Sequence, residues 1–197
     1  MHCAIIIWSQ RSSSQSSKVW LFCKKILTSL SISSDIIDLW VDHLPYWDEL
    51  HNPNSELGIE AWEKHSKILQ ESDWVIVISP ERWGMVPWVL KNFFLWCKKW
   101  ELAHKPWLIV WVSAGTGWAY PIVELRMSSY KNTKICYIPD HVIVRHVDQV
   151  LNDNTEEDKR VELRIENSIK TLQAYMQWFA IIRQEQIIKD NPMPNGM

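Results

Sequence analysis

The segment Pro80-Glu81-Arg82-Trp83-Gly84-Met85-Val86-Pro87-Trp88-Val89-Leu90-Lys91-Asn92 follows directly on the apolar run Trp74-Val75-Ile76-Val77-Ile78-Ser79. An uninterrupted β-branched run of this length reads as a strand buried on both faces. Gly84 and Pro87 punctuate a loop after it, and the apolar spacing beyond predicts a helix over residues 86–100. Strand, short glycine-bearing loop and helix in immediate succession form the local unit of a parallel α/β sheet.

The same unit recurs on both sides. Aliphatic runs at 3–7, 35–39, 75–79, 108–114 and 134–138 are strand candidates, and helix-length segments lie near 16–30, 58–70, 86–100 and 121–130. Right-handed crossovers between parallel strands place such helices on both faces. The class expected is therefore a doubly wound α/β fold, with ligands bound at the carboxyl ends of the strands beside the switch point.

Pro139-Asp140-His141 reads as the end of the fifth strand. A polar stretch, Leu151-Asn152-Asp153-Asn154, leads to a capping-box pattern at Thr155-Glu156-Glu157-Asp158. A long helix is expected beyond it, with Ile165, Ile169, Leu172, Met176 and Phe179 at spacings of four and three along one stripe. The expected organisation is a single α/β domain over 1–150, a C-terminal helix over 151–190 packed on that domain or at a dimer interface, and a frayed tail over 191–197.

At 197 residues, with net charge -2 and pI ≈ 6.4, the chain suits one domain and offers no basic stripe for nucleic acid. Cys3, Cys23, Cys97 and Cys136 form no C-x-x-C pair, and the seven histidines have no ligand spacing, so neither a disulfide framework nor a metal is expected. The opening residues lack the basic and long apolar parts of a secretory leader. Lys91, Lys98, Lys99, Glu101 and Lys105 interrupt the apolar stretches short of a membrane span. A cytoplasmic protein without membrane partners is the expectation.

Two further segments follow strand candidates. Ile5-Ile6-Ile7-Trp8-Ser9-Gln10-Arg11-Ser12-Ser13-Ser14 follows the first, and Ser113-Ala114-Gly115-Thr116-Gly117-Trp118 follows the fourth. With the 80–92 segment, these three motifs resemble in order and spacing the phosphate loop, ring loop and third flavin loop of the NADPH-dependent FMN reductase family. The resemblance covers roughly residues 3–150. It implies a flavodoxin-like three-layer fold, a five-stranded parallel sheet of order 2-1-3-4-5 and an added long C-terminal helix.

The family's chemistry then follows as expectation. The implied enzyme is an FMN-dependent NAD(P)H oxidoreductase, taking hydride from NADPH or NADH and passing electrons to a flavin, quinone, azo or nitro compound or metal ion. A homodimer or homotetramer is expected. A phosphate dianion is gripped by backbone N–H groups at a helix N-terminus, by hydroxyls and by an arginine. Ser9, Arg11, Ser14, Ser16 and Ser17 fill those roles by resemblance. Pro80, Glu81, Arg82, Trp83 and Gly84 fall along the flavin ring, although Arg82 stands where the family often has an aromatic residue. Ser113, Gly115, Thr116 and Gly117 fall at its pyrimidine edge, where donors favour the anionic reduced form.

The cofactor carries the hard chemistry, so no catalytic side chain is assigned. Lys91 and Asn92 read equally as ligand contacts or as structural groups. Asp140 and His141 read as loop residues rather than an acid/base dyad.

One departure runs through all three motifs: Trp8, Trp88 and Trp118 stand where the family carries glycine. The chain has 14 Trp and 5 Gly, and its glycine share of about 2.5% compares with about 7% in average proteins. Glycine at Trp8, Trp40, Trp74, Trp83, Trp88, Trp100, Trp107, Trp111 and Trp118 would raise the count to 14, again about 7%. The expectation is a source lineage that reads UGA as glycine, with the chain written in a code that reads UGA as tryptophan. The contrasting expectation is a non-catalytic flavodoxin-like binding or interaction module, its cofactor crevice filled by genuine tryptophans.

Overall fold

A computed structural model describes residues 1–8, 14–48, 56–130, 132–152 and 155–185. Five strands form one parallel sheet: β1 (His2–Ile7), β2 (Ser33–Asp38), β3 (Trp74–Pro80), β4 (Pro106–Val112) and β5 (Cys136–Val144). Their spatial order is β2-β1-β3-β4-β5, the doubly wound order expected from the sequence. The intervening helices are α1 (Gln15–Ser29), α2 (Glu56–Glu71), α3 (Trp88–Trp96), α4 (Lys99–Leu102) and α5 (Tyr120–Ser128), and α6 (Glu156–Ile182) closes the chain.

Strand pleating sends alternate residues to opposite faces, and the sheet splits its apolar side chains accordingly. Cys3, Ile5, Ile76, Ile78, Leu108 and Val110 join Val19, Cys23 and Leu27 of α1 and the α6 stripe in one core. Ala4, Ile6, Val75, Val77 and Ile109 join Trp62, Leu90, Phe93 and Ile122 of α2, α3 and α5 in the other. Ile165, Ile169, Leu172 and Met176 are buried against the domain, with Phe179 half-buried. The Thr155–Asp158 capping box starts α6 as the sequence indicated.

Two elements differ from expectation. The fifth strand does not end at Pro139-Asp140-His141 but runs through them to Val144. β5 is an edge strand, and its register against β4 slips between Trp107↔Tyr137 and Ile109↔His141. Proline is tolerated at such an edge bulge because no ladder bond needs its missing N–H. The helix expected over 86–100 breaks at Cys97, whose ψ of 136° is extended. Glu101, fully buried, takes Trp62 Nε1–H at 3.2 Å, the Ser66 hydroxyl and the Lys98 amide. Satisfying that carboxylate restarts the chain as α4.

Three of the largest fully buried side chains are Trp74, Trp107 and Trp111. The indole N–H of each has no hydrogen-bond partner among the described residues. A donor stranded in this way costs about 1–3 kcal/mol. Trp62 and Trp96, by contrast, donate their indole N–H groups to Glu101 Oε1 at 3.2 Å and Pro45 O at 3.0 Å.

Candidate functional site

The loops after β1, β3 and β4 open at the carboxyl end of the sheet, where the strand order reverses. Ser9 and Arg11 of the first loop lie outside the described residues. Trp8, at its start, is 5% exposed. Ser14 is the N-cap of α1, and its Oγ accepts Ser17 N–H at 3.0 Å and lies 2.8 Å from Ser17 Oγ. The hydroxyls of Ser14 and Ser17 thus hold the helix start, and Ser16 is buried beside them. Ser17 N–H and Lys18 N–H are both donated to Ser14, while a helix N-terminus such as this one carries partial positive charge toward an anion.

The second loop is a tight reversal. Glu81 N–H continues the β3 pattern by donating to Val112 O at 2.8 Å. Arg82 and Met85 then form an antiparallel bridge, with Met85 N–H donating to Arg82 O at 3.0 Å. Between them Trp83 has φ 56° and Gly84 φ 73°. A two-residue turn with both central residues at positive φ is a type I′ turn, a setting favoured by Asn-Gly and Gly-Gly. Trp83 is 85% exposed.

Val86 leaves this turn with its N–H donated to Glu124 Oε2 at 3.0 Å, and the other oxygen of Glu124 pairs with Lys91. Asn92 accepts Trp47 N–H at 2.8 Å and donates to Pro45 O at 3.0 Å. Asn92 therefore locks loop and helix together, while half-exposed Lys91 adds only an ion pair to Glu124.

The third loop is pinned from β5. Ser113 N–H donates to Val144 O at 2.9 Å, Val147 N–H to Ser113 O at 3.1 Å and His146 N–H to Gly115 O at 3.1 Å, while Arg145 Nε reaches Thr116 O. Gly115 N–H turns inward to Ser113 Oγ at 3.2 Å. Gly117 has φ 62°, and a Cβ there would lie 2.9 Å from Ser113 Cβ and 3.3 Å from Glu81 Oε2. Tyr120 Cδ2 similarly lies 3.7 Å from where a Cβ of Gly84 would sit.

The second and third loops therefore meet at two points, although their sequences are some 30 residues apart. Glu81 Oε2 is buried there with no hydrogen-bond partner among the described residues. A carboxylate oxygen without a donor, beside backbone that tolerates no side chain, fits a planar ligand with an N–H on its edge. Trp118 stacks on Tyr120, ring centroids 5.7 Å apart at 8°, and both rings are exposed.

Asp140 and His141 form no reactive pair. Arg164 and Ser168 bind the Asp140 carboxylate, and the Arg164 bonds hold its pKa down to about 2. Among the described residues no group of His, Cys, Asp and Glu is arranged to hold a metal. Glu124 and Tyr120 went unnoticed in the sequence because no local pattern marks either, and Glu124 reaches its amide across 38 residues.

A family profile described as NADPH-dependent FMN reductase matches residues 1–149. None of the curated proteins matches the chain. Among solved structures, the flavoenzyme NAD(P)H:(acceptor) oxidoreductase FerB from Paracoccus denitrificans is 18% identical with TM-score 0.70, over 91% of this chain and 97% of that one. An NAD(P)H:quinone oxidoreductase from Methanothermobacter marburgensis is 14% identical with TM-score 0.64, over 88% and 97%. The apo form of the NADH:FMN oxidoreductase EMOB is 14% identical with TM-score 0.65, over 88% and 89%. At these identities the neighbours establish the shared fold.

Proposed function

The chain belongs to the NADPH-dependent FMN reductase family, and on that premise we propose how its loops hold FMN and serve a small-molecule electron acceptor. As a family member it is an NAD(P)H-dependent flavin oxidoreductase with FMN as cofactor. When bound, the flavin supplies the redox chemistry, hydride from NAD(P)H in and electrons out to the acceptor.

The observation that carries the reading is the approach of Gly117 to the unpaired Glu81 carboxylate, 3.3 Å from a Cβ built on that glycine. Pro80, Glu81, Arg82, Trp83 and Gly84 border the ring on one side. Ser113, Gly115, Thr116 and Gly117 border its pyrimidine edge, with Glu81 as the acceptor for an N–H there. The first turn of α1, with Ser9, Arg11, Ser14, Ser16 and Ser17, receives the phosphate, Ser14 and Ser17 also keeping that turn in place. None of these side chains needs to move a proton. They bind, orient and exclude water.

The exposure of Trp88 and Trp118, at 59% and 66%, favours this reading over a crevice packed shut by tryptophan. The acceptor is a flavin, quinone, azo or nitro compound or metal ion that takes the place of the departing nicotinamide. Exposed Leu95, Val123 and Met127 on α3 and α5 support a homodimer or homotetramer. Four unpaired cysteines suit a reducing cytoplasm.

The test is flavin titration followed by NADPH and NADH oxidation with each acceptor class, light scattering giving the assembly. A yellow protein reduced by NADPH is expected. A chain that carries glycine at positions 8, 88 and 118, folds and takes up no FMN sinks the reading.

A further inference from the structure

We infer that the functional polypeptide carries glycine at the positions written Trp74, Trp83, Trp107 and Trp111, and that one reassigned codon accounts for these together with Trp8, Trp88 and Trp118. The glycine-poor composition raised this possibility for nine positions. The structure sorts Trp62, Trp74, Trp83, Trp96, Trp107 and Trp111 by whether their surroundings use an indole, without reference to the flavin.

Trp62 and Trp96 stand on one side of the division. Both are buried and hydrogen-bonded through Nε1, and their rings stack 6.3 Å apart at 26°. Tryptophan buried in a core normally finds such a partner for its N–H. Their neighbours are built for indoles.

Trp74, Trp107 and Trp111 stand on the other. Each is 0% exposed in a central strand, and none has an acceptor for its N–H among the described residues. They point to both faces of the sheet, Trp74 into the α1/α6 core and the other two into the opposite core. A local packing accident on one face does not produce that distribution. Trp107 does touch Phe94 and Tyr137, at 5.9 Å and 6.2 Å between ring centroids, yet neither contact satisfies its N–H. Glycine in a strand interior marks close approach of other chain segments, and it leaves no donor to satisfy.

Trp83 gives an independent signal. It holds φ 56° beside Gly84 at φ 73°, in the turn type that selects glycine or asparagine, and its 85% exposed side chain gains little burial in return. Trp88 and Trp118 border the ring loops, where glycine leaves the backbone open to a ligand. Glycine at 118 would also free the Tyr120 ring that Trp118 now covers. Trp40 and Trp100 are exposed and provide no structural argument of their own.

Peptide mass mapping of the chain isolated from its source cells reads each position directly. Glycine at 74, 83, 107 and 111, with tryptophan at 62 and 96, is expected. Tryptophan at the first four overturns the inference, as do TGG codons there. A second arm compares the chain as written with one carrying glycine at the nine positions. The glycine chain is expected to unfold at higher urea, and to lose that gain on Trp62→Gly. Equal or greater stability of the chain as written overturns the inference. Flavin uptake is read separately: a glycine chain that folds but binds no FMN leaves this inference standing and removes the binding proposal.

Discussion

Glu124 Oε2 accepts the Val86 amide at 3.0 Å, and through it α5 holds the exit of the loop after β3. The other carboxylate oxygen pairs with Lys91, but that lysine is half-exposed and an ion pair of this kind contributes less than about 1 kcal/mol. Glu124→Ala strands a largely buried amide, at about 1–3 kcal/mol. It should lower stability and weaken FMN binding together. Lys91→Ala should do little of either. Urea unfolding and flavin titration of both variants check this, and equal effects would show the ion pair, not the amide, to be the important bond.

Gly117 and Gly115 differ although only Thr116 separates them. At Gly117 a left-handed φ of 62° combines with a Cβ 2.9 Å from Ser113, so Gly117→Ala should cost about 1–3 kcal/mol in strain and push Glu81 from its place. Nothing lies within 4 Å of a Cβ at Gly115, and Gly115→Ala should stay within about 0.5 kcal/mol. Thermal unfolding with and without FMN reads both changes.

Arg11 tests the phosphate assignment without depending on any tryptophan. Arg11→Ala should weaken FMN binding by about 1.5–3 kcal/mol, the range for a bond to a charged group. Riboflavin, which lacks the phosphate, should bind both proteins alike. Equal FMN affinity in the two proteins would remove residues 9–17 from the site.

Asp140 should leave its mark in acid. Its pKa falls from 3.8 in the unfolded chain to about 2 in the fold, so the folded state binds fewer protons between these values. Its contribution is full above pH 4 and is lost as pH falls through 2. Asp140→Asn should flatten that part of the acid unfolding curve, and salt should shrink the difference because the carboxylate is partly exposed.

Much of this protein is local and was legible as such. Continuous aliphatic runs of strand length, alternating with helix-length segments, marked the parallel sheet, because each strand's burial is written in consecutive residues; the order of its strands came from the resemblance of the three loop motifs to a known family. The α6 capping box and apolar stripe read equally well, since helix periodicity repeats within a few residues. The three loops proposed to hold the flavin could be located because each directly follows a strand.

Other features were settled between segments distant in sequence. The fifth strand runs past Pro139 because a sheet edge asks no N–H of it, and the long apolar helix breaks because buried Glu101 draws on the Lys98 amide and the hydrogen-bonding groups of α2. Asn92 became a clamp only when Pro45 and Trp47 came within reach. Tryptophan's composition alone could mark an excess but could not distinguish Trp62 from Trp107. That distinction depends on whether an acceptor waits beside a buried indole N–H, and only the packed fold puts one there or leaves it out.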